Sequence, residues 1–156
     1  MSCSFRDLAS SEFEALVDLW IEAWNATLPA IDFETRRQWF HERLARLSRE
    51  DFTIRCAFID DQRPPAGFIA ITRRLRYLDQ IAVRPRHWGE GIAEALMEQA
   101  RLLCPEGIVL DVNQNNPRAI AFYEKCGFRR LRADRNPESG RPTWWYVWGE
   151  ATPPRS

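Results

Sequence analysis

The sequence holds a single lysine, Lys125, and only two histidines, His41 and His87. None of its four cysteines, Cys3, Cys56, Cys104 and Cys126, stands in a Cys-x-x-Cys pair. These shortages remove the usual frameworks for structural zinc, so no metal is expected and most of the cysteines read as reduced core thiols. An excess of either charge is missing too, since 22 basic residues balance 22 acidic ones and the pI is near 6.7. Without a broad basic field, no nucleic-acid partner is predicted. No apolar run approaches the length of a membrane span, and the opening Met-Ser-Cys-Ser-Phe-Arg-Asp lacks the apolar centre of a secretory signal. The expectation is a cytoplasmic protein with no membrane partner. Repeats, low-complexity tracts and linkers are also absent. A chain of 156 residues suffices for one domain, which buries about two-thirds of its unfolded surface. We expect a single domain over 1–150 and a loose tail over 151–156, where Pro153 and Pro154 stand.

What the chain does contain is organised around residues 77–103. Leu78, Ile81 and Val83 make a β-prone run that stops at Pro85, which has no N–H to give a ladder. From Gly91 onward, Ile92, Ala93, Leu96, Met97, Ala100 and Leu103 recur at three- and four-residue spacing, the pattern of an amphipathic helix. A strand therefore runs through a glycine-containing loop into a helix N-terminus, whose first-turn N–H groups lack partners and carry partial positive charge. Gly89 and Gly91 let a ligand approach that main chain, so the stretch reads either as a phosphate cradle or as a turn alone. Neither the nucleotide-triphosphate loop nor the three-glycine dinucleotide fingerprint is present.

Around this centre the remaining elements follow from pattern. Cys3 and Phe5 suggest a short first strand, and Ser11-Glu12-Phe13-Glu14 matches a capping box for a helix with Phe13, Leu16, Val17, Trp20 and Trp24 on one face. Pro29 closes that segment. A second helix starts after Asp32, with Phe33, Phe40, Leu44 and Leu47 inward and Arg36, Arg37, Arg43 and Arg46 on a solvated face. Residues 53–59, 66–72 and 77–83 read as three consecutive antiparallel strands, and 107–112 as a strand parallel to the third. Asn116 as N-cap, Pro117 at the first helical position and Gly127 beyond the end define a compact helix over 117–126. Two last strands occupy 128–133 and 143–149, joined by a turn-rich connection.

The hexapeptide Arg86-His87-Trp88-Gly89-Glu90-Gly91, following Ile-Ala-Val-Arg-Pro, resembles the acetyl-coenzyme A signature Gln/Arg-x-x-Gly-x-Gly/Ala of the GNAT N-acetyltransferase family. A second block over 113–129, Asn-Gln-Asn-Asn-Pro-Arg-Ala-Ile-Ala-Phe-Tyr-Glu-Lys-Cys-Gly-Phe-Arg, resembles that family's Asn-x-x-Ala-x-x-Phe-Tyr-x-x-x-Gly-Phe element. Both blocks stand in family order and spacing, and with their flanks the resemblance covers nearly the whole chain. It implies a single α/β (α+β) domain whose mixed, mostly antiparallel sheet is splayed in the middle and flanked by about four helices.

The resemblance also implies acetyl-CoA as co-substrate and direct acetyl transfer to a primary amine, with a small-molecule amine as the expected acceptor. The pantetheine arm would run along Ile81, Ala82 and Val83, pairing with main-chain groups as another strand would. The pyrophosphate would rest on Arg86, His87, Trp88, Gly89, Glu90, Gly91, Ile92 and Ala93, with the Arg86 side chain adding a charge-assisted contact. Asn116, Ala119 and Phe122 would line the arm, while Arg84 and Arg118 either reach the outer phosphate or are solvated. Tyr123 is implied to lie near the sulfur as general acid. Glu90 departs from the family, which often has a basic residue there. Beside a pyrophosphate its carboxylate is unfavourable unless it points to solvent or caps the helix.

By period-two counting Asp79 shares a face with Ile81 and Val83, where it serves as base through water or pairs with a nearby arginine. Trp24, Phe33 and Tyr77, with the 134–142 connection, are expected to line the acceptor pocket. Two further alternatives stay open: a non-catalytic acyl-CoA-binding or regulatory domain, and a protein N-terminal acetyltransferase. A homodimer formed through the apolar last strand, Thr-Trp-Trp-Tyr-Val-Trp, is a further expectation.

Overall fold

Alternating apolar runs punctuated by proline and glycine give a computed structural model described over residues 2–154. In chain order it comprises β1 (Cys3–Asp7), α1 (Phe13–Thr27), α2 (Arg37–Arg49), β2 (Thr53–Ile59), β3 (Gly67–Thr72), β4 (Tyr77–Val83), α3 (Ile92–Leu103), β5 (Gly107–Asn113), α4 (Pro117–Lys125), β6 (Arg129–Arg135) and β7 (Pro142–Gly149). One sheet takes all seven strands in the order β1-β2-β3-β4-β5-β7-β6. Only β4 and β5 run parallel. The mixed, mostly antiparallel sheet with four flanking helices is the architecture expected. Residues 155–156 of the expected loose tail lie outside the described residues, and Pro153 within that tail is buried.

Two apolar layers cover the sheet. β3 is buried along its whole length, and its alternation divides the core: Phe68 and Ala70 join Leu16, Trp20, Phe40 and Leu44 under α1 and α2, whereas Ile69 and Ile71 join Leu96, Met97, Ile108 and Tyr146 under α3. Helix α4 has no fully buried residue. It rests on the second layer through Ala119, Ile120, Phe122 and Tyr123, which leaves space beneath its first turn. Cys56 and Cys104 are core thiols as anticipated, with burial pushing Cys56 up to about 12, but Cys3 is exposed. Among the described residues no helix is long and apolar enough to cross a membrane.

Several local expectations are corrected. The carboxylate that caps the first helical region is Glu12, which accepts from the Ala9 N–H at 3.0 Å and from Arg6. Glu14 instead pairs with Arg37. A 3-10 turn over Ser10–Glu12 precedes α1, which starts at Phe13. The last strand, β7, lies inside the sheet with β5 on one side and β6 on the other. It therefore has no free edge through which two copies could pair, and Trp145, Tyr146 and Val147 are buried within the chain.

The feature that positions everything else is the seam between β4 and β5, where a single parallel pair, Tyr77 with Val109, is made before the strands part. A β-bulge adjoins it. Ala70 opposes Gln80 and Ile71 opposes Leu78, leaving Asp79 as the extra residue. A bulge re-aims the side chains that follow it. Accordingly Leu78, Ile81 and Val83 all pack on the α3 side, a combination that strict alternation forbids, and Asp79 turns to α2. Period-two counting failed here because it assumed an unbroken strand.

Gly67 allows the close packing at the far end of β4. A Cβ there would lie 2.9 Å from the Ala82 carbonyl oxygen, 3.0 Å from Leu96 and 3.2 Å from Val83. Gly67→Ala is expected to cost about 1–3 kcal/mol of stability, read as a lower urea midpoint. An unchanged midpoint would show that these neighbours yield freely.

Candidate active site

Where β4 and β5 part, a cleft of about 450 Å³ opens through the sheet, lined from β4, β5, α1, α2, α4 and the connection before β7. Its β4 wall is main chain. The Arg84 N–H donates to Ala66 O at 2.8 Å, toward β3, so across the trans peptide the Val83 carbonyl points the other way, into the cleft. Alternation gives Ile81 the same aspect. Among the described residues neither group has a ladder partner on this side, because the neighbouring strand has diverged. Asn116, Ala119, Phe122 and Tyr123 of α4 form the opposite wall.

At the end of β4 a 3-10 turn, Pro85–His87, leads into α3. Gly89 and Gly91 both adopt left-handed backbone conformations, φ 83° and 87°, with nothing within 4 Å of the position a Cβ would take. Gly91 is the N-cap of α3, so the first-turn N–H groups are exposed to an approaching anion. Ala93 lines the cleft from that turn, and Ile92 is buried beneath it. Arg86 is exposed and lies outside the cleft, donating from Nε to His87 Nε2 at 3.4 Å. His87 Nδ1 meets Glu90 at 3.0 Å. The carboxylate that looked unfavourable in the sequence is thus held by a neighbour in its own loop. Arg84 does not approach this loop. It is buried, donating to Pro65 O at 2.9 Å and to Glu22 at 2.5 Å, and so ties the end of β4 to α1.

The other end of the cleft is polar and crowded. Tyr77 donates its hydroxyl proton to Asp111 Oδ1 at 2.6 Å, and Asp79 is paired with Arg43 at 2.6 Å with its side chain only 4% exposed. Arg43 therefore departs from the solvated arginine face expected of α2. It reaches inward past Trp39, 3.8 Å from Glu138 of the connection before β7. The geometry gives Asp79 a cation partner. Among the described residues no cation is paired with Asp111, which the sequence reading missed. Burial raises its pKa, Asp79 adds to the rise, and the Tyr77 hydroxyl opposes it. A usable signal was present, namely one carboxylate inside the apolar run Ile108-Val109-Leu110-Asp111-Val112.

Tyr123 lines the same cleft, and no hydrogen bond engages its hydroxyl among the described residues. Burial, with Asp111 next in effect, drives its pKa well above the ordinary phenol value, which keeps the proton on the oxygen at neutral pH. Asn116 caps α4, accepting from Ala119 N at 3.3 Å, and also lines the cleft. Of the residues expected at the acceptor pocket, Trp24 and Tyr77 line the cleft. Phe33 does not: it is 4% exposed, packed edge-on to Trp20 and stacked with Trp24 inside the α1–α2 core. Its apolar ring gains more from that layer than from a solvated wall.

Comparison with known proteins places this geometry in a family. The family model described as "Acetyltransferase (GNAT) family" matches residues 13–128. The peptidyl-lysine N-acetyltransferase YjaB of Salmonella typhimurium is 28% identical over 142 residues, spanning 91% of this chain and 94% of its own. The crystal structure of the PaiA N-acetyltransferase of Thermoplasma acidophilum in complex with coenzyme A superposes with a TM-score of 0.80 at 22% identity, covering 96% of this chain and all of that one. An acetyltransferase of Bacillus anthracis in complex with acetyl coenzyme A is 26% identical over 64% of each chain, with a TM-score of 0.56.

The raised pKa of Asp111 carries a sign that can be checked. Its proton stabilises the fold fully below the unfolded value of 3.8, and that contribution is lost as pH rises through the folded value. Above it the ionised, half-buried carboxylate is a cost that Asp111→Asn removes while leaving an oxygen for Tyr77. The variant is expected to melt about 2–4 °C above wild type at neutral pH, with the difference vanishing below 3.8. A variant that melts lower at neutral pH would mean that ionised Asp111 is stabilising.

Proposed function

We propose that this chain, which belongs to the acetyltransferase (GNAT) family, binds acetyl-CoA along the parted edge of β4 and passes its acetyl group directly to a primary alkylamine held at the Tyr77–Asp111 end. The observation that carries this reading is the continuous cleft that joins the parted strand edge and the loop before α3 to a half-buried tyrosine and carboxylate. When bound, the coenzyme supplies an activated thioester. The main chain of Ile81 and Val83 would hold the pantetheine amides, the amides of 89–93 the pyrophosphate, and Asn116 the arm from across the cleft.

The chemistry assigned to the side chains follows from their protonation. The acceptor must attack as a neutral amine, and Asp111, with a raised pKa and no cation partner, is the better proton acceptor of the two cleft aspartates. Asp79 is occupied by Arg43 and is assigned to positioning. The amine nitrogen forms its bond to the carbonyl carbon, the carbon–sulfur bond breaks, and the thiolate takes the Tyr123 hydroxyl proton. Burial holds that proton in place until the thiolate develops.

For the acceptor we favour the ε-amine of a protein lysine, on the name of the Salmonella relative, which matches nearly the whole chain. A second reading, a free small amine, is favoured by the contact of Glu138 with Arg43, which draws the connection before β7 over the acceptor end. A thiol-release assay with acetyl-CoA, run on lysine peptides and on a panel of small amines, separates the two. In either case Tyr123→Phe should lower kcat by about a hundredfold or more while coenzyme affinity stays within about twofold. Unchanged turnover would remove Tyr123 from the role of acid, and failure of wild type to bind acetyl-CoA would overturn the reading as a whole.

A further inference from the structure

The indole of Trp88 lies in the cleft at the end of β4. Trp88 belongs to the loop between β4 and α3, and its Nε1–H donates to the Val83 carbonyl at 2.8 Å. That carbonyl is the last acceptor on the parted edge of β4. From the opposite wall, Arg118 of α4 lays its guanidinium on the Trp88 ring, 3.3 Å from the centroid. This is van der Waals contact, closer than most cation–π pairs and too close for any group to lie between. No carboxylate among the described residues pairs with Arg118, although both it and Trp88 line the cleft. A loop residue on one side and a helix residue on the other therefore touch across the mouth of the cleft.

We propose that Trp88 and Arg118 form a strap across the coenzyme channel, in which the Trp88 indole N–H holds the place of a coenzyme amide on the Val83 carbonyl. This inference rests on the reading that the cleft takes acetyl-CoA. Burying an unpaired backbone carbonyl is costly, so an empty parted edge needs a substitute donor, and the indole N–H supplies one. The arm then binds by exchange, replacing one N–H donor on Val83 with another and separating the ring from the guanidinium. Arg118, released from the ring and without a carboxylate partner, becomes a cation for the coenzyme phosphates. Trp88 thus lowers coenzyme affinity, whereas a residue that simply completed the binding site would raise it.

Two measurements on the intact protein test this. Trp88→Phe keeps a ring beneath Arg118 but has no N–H for Val83, so coenzyme A should bind about threefold to tenfold more tightly by calorimetry. In wild type, the Trp88 indole N–H resonance, assigned by its loss in that variant, should be protected from hydrogen exchange in the free protein and lose protection when coenzyme A saturates. Unchanged or weaker binding by the variant, or protection retained at saturation while the backbone amides of 89–93 shift, would overturn the strap and leave the coenzyme reading standing. If neither those amides nor the indole respond to coenzyme A, both readings fall.

Discussion

The structure depends on two parallel strands that part after one pair. Backbone N–H and C=O groups inside a protein need partners, and a central sheet normally supplies them from the adjacent strand. Between β4 and β5 this supply stops at Tyr77 and Val109. Beyond that point the β4 edge can be satisfied by an extended ligand, by solvent or by a side chain of the same chain. The Trp88 indole is one such side chain, and the space that remains is the cleft. The bulge at Asp79 adjoins the parting and turns a carboxylate away from the apolar α3 layer toward α2.

Electrostatics at the polar end of the cleft follow from the same divergence. Asp79 and Asp111 come from two strands that would be fully covered if they stayed paired, and each raises the cost of ionising a neighbour. Their environments differ in one respect. Arg43 reaches Asp79 from α2, while the side chain that donates to Asp111 is the neutral Tyr77 hydroxyl. One carboxylate is therefore engaged in an ion pair, while burial raises the pKa of the other. Tyr123, whose pKa burial also raises, lines the same cleft.

Much of the fold was legible because its signals are local. Strand and helix identities followed from alternation and three- to four-residue spacing, and Asn116, Pro117 and Gly127 bounded α4 closely. The glycine loop was equally plain, since Gly89 and Gly91 adopt backbone conformations that other residues resist. Less legible were features that depend on distant partners. In sequence Arg43 read as a solvated cation and Arg84 as either a phosphate contact or solvated, yet Arg84 ties β4 to α1 and Arg43 pairs with Asp79 in the cleft. Phe33 carried no mark separating a pocket wall from a core position, and Asp111 stood out only as a charge in an apolar strand.

The sequence by itself determined the order of elements, the mixed sheet and the glycine loop that leads into a helix N-terminus, because these follow from short-range sterics and hydrogen bonding. Tertiary structure alone decided which carboxylate is paired, which tyrosine hydroxyl opens on the cleft and what occupies the Val83 carbonyl. Those outcomes rest on contacts between residues far apart in the chain, such as Arg43 with Asp79 and Tyr77 with Asp111, and on a one-residue bulge that reverses the facing of a strand. Periodicity carries no information about either, since it describes each element as if it stood alone.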